Sequence, residues 1–97
     1  MRIITYKRIS EYTEIQPDAE TALKEWYGKT KRSQWDCFAD VRNTFNSVDS
    51  VGESRCVFNI KGNRYRIVAI IIFASQKVYI RFIGTHAEYD KIDCKNI

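Results

Sequence analysis

At 97 residues, 44% of them hydrophobic and 29% charged, the chain is sized for a single domain over residues 1–97 with one modest core. No apolar run approaches the roughly 18 residues that span a bilayer, and the N-terminus lacks the apolar block of a signal peptide, so a cytoplasmic protein with no membrane partner is expected. The formal charge of +4 is unevenly placed: residues 1–54 hold eight Lys/Arg against nine Asp/Glu, residues 55–97 hold eight against three, and residues 55–86 contain no acid at all.

Arg2 to Thr5 is short and β-branched, which suits a strand. Ile9, Tyr12 and Ile15 recur at three-residue spacing and predict a short helix. Pro17 fits the first turn of a second helix, with Asp18 and Glu20 at its positive end. Ala19, Ala22, Leu23, Trp26 and Tyr27 form its apolar stripe, Gly28 is placed as its end, and residues 29–33 read as a polar connection. A further helical stretch runs from Trp35 to Phe45, ahead of a turn-rich segment over residues 46–52.

The texture then changes. Arg55 to Ile60 alternates as a strand does, and Gly62-Asn63 marks a tight turn because both residues tolerate positive φ. Arg64 to Phe73 is a long strand, nearly continuous in Ile and Val, as expected in the middle of a sheet. Residues 74–76 turn the chain into a strand over Lys77–Ile83, closed by Gly84-Thr85. From His86 the chain reads as a helical turn, with Thr85 and Glu88 at capping-box spacing. The order is a strand, two or three helices and a three-stranded antiparallel meander, an α+β pattern. Cys37, Cys56 and Cys94 are odd in number and lack CxxC or Cys/His spacing, so isolated thiols are expected and a zinc site is not.

Alternate residues of a strand share a face, so Arg64 and Arg66 are expected to project together, with Arg81 joining them from the neighbouring strand. Lys61 and His86 fall near the ends of the strands, and Tyr89 lies one helical turn beyond His86. An acid-free basic segment points to a polyanion. A cleft of Arg, Lys, His and Tyr with no carboxylate does not suit a metal, so no metal and no cofactor is expected. It does suit metal-free RNA cleavage, which needs a base for the 2′-hydroxyl, cations for the phosphorane and an acid for the leaving oxygen. Plainer readings stand beside this one. His86 can be structural, and Arg64 and Arg66 can form a solvated face or pair with Glu20 or Glu25. Tyr65, Tyr79 and Phe82 can be sheet-face aromatics, and Trp26 and Trp35 core. Composition and spacing alone reach a small basic domain that interacts with nucleic acid.

The run Val57-Phe58-Asn59-Ile60-Lys61-Gly62-Asn63-Arg64-Tyr65-Arg66-Ile67-Val68 resembles the hallmark segment of the HigB family of toxins, in the RelE-like superfamily. So does Val78-Tyr79-Ile80-Arg81-Phe82-Ile83-Gly84-Thr85-His86-Ala87-Glu88-Tyr89-Asp90, and upstream Trp35-Asp36 and residues 38–41 fit as well. The resemblance implies a β-α-α-β-β-β fold with helices on one face of a small, mostly antiparallel sheet. It also implies a ribosome-dependent mRNA endonuclease of a type II toxin–antitoxin system. Such an enzyme cuts mRNA in the ribosomal A site by 2′-hydroxyl attack and is held off by a HigA-like helix-turn-helix antitoxin. Carried over by motif, Arg66 stabilises the transition-state phosphate, Arg81 supports it, and His86 and Tyr89 serve acid–base chemistry or base stacking. Lys61, Arg64 and Lys77 are then expected to contact RNA. The rival reading is a non-catalytic RNA- or ribosome-binding module, an inactive toxin homologue.

Overall fold

The computed structural model describes residues 1–94 and 96–97. Strand β1 (Arg2–Ile3) leads into helix α1 (Tyr6–Ile15), a 3₁₀ turn at Pro17–Ala19, and helices α2 (Glu20–Arg32) and α3 (Phe38–Thr44). Strands β2 (Val48–Gly52), β3 (Arg55–Ile60), β4 (Tyr65–Ile72) and β5 (Lys77–Thr85) follow, and the short helix α4 is His86–Tyr89. The sheet order is β1-β5-β4-β3-β2, antiparallel throughout except where β1 runs parallel to β5. This is the α+β architecture expected, with one strand more.

That extra strand is β2, in the segment read as turn. Val48, Asp49 and Ser50 pair with Phe58, Val57 and Cys56, and the register shifts before Gly52 meets Arg55. Polar residues hide the strand because its alternation matters less at a sheet edge, where only Val48 is buried. Helix α2 also continues four residues past Gly28. Thr30 in its last turn is wholly buried, so packing holds a helix that propensity alone would end. Of the residues spaced by three in α1, Ile9 is buried but Ile15 is 73% exposed. Trp35 precedes α3 and is fixed by its indole N–H donating to Thr44 Oγ1 at 3.0 Å.

Strand alternation puts Cys56, Phe58 and Ile60, then Tyr65, Ile67, Ala69 and Ile71, then Val78 and Ile80 on one side. There they meet Ile9, Leu23, Trp26, Trp35 and Val41 in the main core. The rings of Trp26 and Phe58 pack within it, and the half-buried Phe45 covers them, with Trp26 and Phe45 each 5.3 Å from Phe58. Helices α1 to α3 therefore cover one face, and the other stays largely open. On that open face Val57, Val68 and Phe82 lie in a cross-strand row, and the chain beyond α4 returns to it, where the Arg55 guanidinium donates to the Ile97 backbone oxygen at 2.6 Å and 3.0 Å. No helix among the described residues is long and apolar enough to cross a membrane.

Two irregularities shape the end of the sheet where β3 and β4 join. Ile60 pairs with Tyr65, so the connection is the four residues Lys61–Arg64, with φ of 53°, 58° and 81° at Lys61, Gly62 and Asn63. In β5, Phe82 pairs with Val68 and Ile80 with Ala69, which leaves Arg81 as the extra residue of a bulge.

Candidate active site

Arg66 lies on the open face of β4, between Asn59 of β3 and Gly84 of β5. Gly84 is a spatial requirement, since a Cβ there would stand 2.5 Å from Phe82 Cζ and 3.0 Å from Glu88 Oε1. One residue later the capping box closes. Thr85 Oγ1 accepts from the Glu88 amide at 3.1 Å, and Glu88 Oε1 accepts from the Thr85 amide at 2.8 Å. The His86 amide donates to the Arg64 carbonyl at 3.1 Å, which ties the start of α4 to the β3–β4 connection.

This anchoring brings Tyr89 back over Arg66, its ring centre 4.9 Å from the guanidinium carbon. The Tyr89 hydroxyl reaches Cys94 Sγ at 3.5 Å. Burial first, then that contact, push the Tyr89 pKa up to about 12, against the pull of the Arg66 charge, so the hydroxyl carries its proton at neutral pH. Arg66 itself has no ion pair or hydrogen-bond acceptor among the described residues, and its Nε is buried without a partner. A guanidinium held over a ring by its central carbon can still direct its terminal N–H groups outward, toward a bidentate acceptor such as phosphate. On α4, His86 Nδ1 lies 3.1 Å from Asp90 Oδ2. That contact orients the ring, with Nδ1 toward Asp90 and Nε2 on the opposite edge.

Lys61 and Arg64 follow a different course. With Lys61, Gly62 and Asn63 all at positive φ, Arg64 stands in the connection rather than in β4, so it does not share a face with Arg66 as strand alternation predicted. Lys61 Nζ and Arg64 Nη1 reach Asp18 Oδ2 at 2.9 Å and 3.2 Å. The Tyr65 hydroxyl donates to Asp18 Oδ1 at 2.5 Å. The Tyr65 bond, then the one from Lys61, hold the Asp18 carboxyl below its ordinary value, and the same bond raises Tyr65. Tyr12 packs edge-on against Tyr65 at 6.0 Å, and burial pushes its hydroxyl up to about 12.

The expected carboxylate-free cleft is therefore corrected. Residues 55–86 hold no acid, but the fold brings Asp18 from the 3₁₀ turn and Asp90 from just beyond α4. Each engages its neighbours, and no three His, Cys, Asp or Glu among the described residues group to hold a metal ion. The structure thus brings Tyr89 onto Arg66, with His86 at the start of the same short helix, and holds Lys61 and Arg64 on Asp18. It does not bring Arg81 against them. Arg81 is exposed in the bulge, and its carbonyl accepts from Arg8 at 3.1 Å. Nor does it bring Lys77, which pairs with Ile72 and Arg2 at the opposite end of β5. Asp90 was legible as the residue four after His86. Asp18 was not, because its contacts span 43 to 47 residues.

Comparison with known proteins places these features in company. Residues 19–92 match the model of HigB_toxin, described as the RelE-like toxic component of a toxin–antitoxin system. The chain is 34% identical over 92 residues to the mRNA interferase toxin HigB of Escherichia coli K12, covering 93% of this chain and 88% of that one. It is 34% identical over 92 residues to the mRNA interferase HigB of Shigella flexneri, with the same shares covered. With the mRNA interferase HigB of Escherichia coli O6:H1 it shares 28% identity over 94 residues, 95% of this chain and 91% of the other.

Proposed function

The chain belongs to the HigB family of RelE-like toxins from toxin–antitoxin systems, and on that premise we propose that it is an mRNA interferase that cuts the codon displayed in the ribosomal A site. The observation that carries the reading is Arg66, a cation without a counter-ion among the described residues, lying against the ring of a protonated Tyr89 on the short helix that His86 begins.

In the proposed reaction the scissile phosphate lies on the Arg66 guanidinium. His86 Nε2 takes the proton of the 2′-hydroxyl as its oxygen attacks phosphorus, and Asp90 stabilises the imidazolium that forms. The bond to the 5′-oxygen breaks as the Tyr89 hydroxyl donates a proton to it, leaving a 2′,3′-cyclic phosphate and a free 5′-hydroxyl. Arg66 meets the charge that grows on the phosphorane oxygens, an effect worth about 10²–10³ in rate for one well-placed donor. Lys61, Arg64 and Arg81 are assigned to neighbouring phosphates, and no step calls for a metal or cofactor. Ribosome and mRNA are the partners of catalysis, the cytoplasm is its place, and a HigA-like helix-turn-helix antitoxin is its restraint.

The test is expression without antitoxin. Growth arrest and codon-positioned cuts that require ribosomes are expected, and Arg66→Ala with His86→Ala removes both while the chain stays folded. A chain that binds RNA with salt-dependent affinity but never cuts it would instead be a non-catalytic ribosome- or RNA-binding module.

A further inference from the structure

Away from Arg66, the open face of the sheet carries two cross-strand rows that the cleavage site does not use. Arg2, Lys77 and Ile72 lie side by side in one. Tyr79 and Ile70 are paired in the next, and Ile4 adjoins Tyr79, its amide donating to the Val78 carbonyl at 2.9 Å. Ile4 and Ile72 are 39% and 38% exposed, and Ile70 and Tyr79 are half-buried. The two rows contain no acid, and neither Arg2 nor Lys77 has an ion pair among the described residues. Helices α1 to α3 all pack on the other face.

From this juxtaposition we infer that the face is the docking surface for the antitoxin, and that it takes an acidic segment presenting aliphatic side chains. Membership in a toxin–antitoxin family supplies the partner, and the chemistry of the rows selects the kind of segment. Two unpaired cations ask for carboxylates. Three isoleucines in the same patch ask for aliphatic cover, which a phosphate backbone cannot give. Apart from the half-buried Tyr79, the patch also offers no flat surface for a base to stack on. Ile70 follows Arg66 by four residues along β4, roughly 13 Å at about 3.3 Å per residue. Docking and cleavage are therefore separable by substitution. The inference rests on the family assignment alone, so it stands or falls apart from the proposed cleavage steps.

The experiment measures the affinity of the full chain for the antitoxin encoded beside it, together with growth on expression. The doublet Arg2→Glu/Ile72→Glu is expected to weaken antitoxin binding by about 100-fold, which is the loss of a paired charge and an apolar contact together. Expressed alone it still arrests growth, and co-expressed antitoxin no longer relieves the arrest. Ile72→Gln, which removes apolar surface without reversing charge, gives a smaller loss in the same direction. Arg66→Ala leaves the affinity unchanged. A folded doublet that binds antitoxin as tightly as the parent overturns the inference. So does a folded doublet that no longer arrests growth by itself, since the face would then serve the ribosome. Failure of the cleavage reading would show elsewhere, as absence of ribosome-dependent cuts by the unsubstituted chain.

Discussion

In the proposed mechanism Arg66 and Tyr89 divide the chemistry by what each can hold. Arg66→Lys keeps a charge but loses both the planar fork and the stacking on Tyr89, so activity is expected to fall nearly as far as in Arg66→Ala, about 10²–10³-fold, in a ribosome-dependent cleavage assay. Tyr89→Phe keeps the ring beneath Arg66 and removes only the proton donor. A fall in cleavage with unchanged RNA affinity is the expected signature, and weaker RNA binding would reassign Tyr89 to positioning. Asp18 gives the pH prediction. Its folded pKa lies below the ordinary 3.8 and that of its partner Tyr65 lies above 10.0. The bond joins an ionised carboxylate to a protonated phenol, so its contribution is fully present between those two ordinary values. It is lost as pH falls through the folded pKa of Asp18, and again as pH rises through that of Tyr65. The stability difference between the parent and Asp18→Asn, followed by denaturant titration, should therefore be flat across neutral pH and shrink at both extremes.

At the scale of elements, the connection between β3 and β4 and the cap of α4 act together. Gly62 holds φ of +58° with open space around it, so Gly62→Ala costs backbone strain rather than a clash, about 1 kcal/mol in a urea titration. Thr85→Ala removes the cap of α4, at about 1 kcal/mol, and should lower activity beyond its effect on stability because Tyr89 hangs from that turn. Gly84→Ala meets Phe82 and Glu88 head-on and is expected to exceed both in cost. Strand β2 shows where pattern falls short. Its pairing with β3 is backbone work, and an edge strand with one buried side chain leaves almost no periodic trace in its residues.

For the molecule as a whole, one core carries the stability, with Trp26 and Phe58 fully buried in contact within it. Trp26→Ala is expected to cost about 3–5 kcal/mol, a large share of the roughly 5–15 kcal/mol typical of a domain, seen as a lower urea midpoint. The α+β class, the three long strands and the capping box were all legible in the residues, and the motif singled out Arg66, His86 and Tyr89 as candidates. Each follows from local spacing, turn chemistry or a contiguous motif. What the residues could not decide was which of them would face one another. Three successive positive φ angles turn Arg64 away to Asp18, and a bulge sets Arg81 apart. The acid-free stretch acquires carboxylates from beyond its ends. Lys77, grouped with the other cations along the chain, lies at the far end of the sheet beside Arg2 and the exposed isoleucines. Side-chain type and local geometry are written in the chain. Proximity between residues tens of positions apart arises only when burial of the core fixes the register of the strands, and that register chose the partners of every charge.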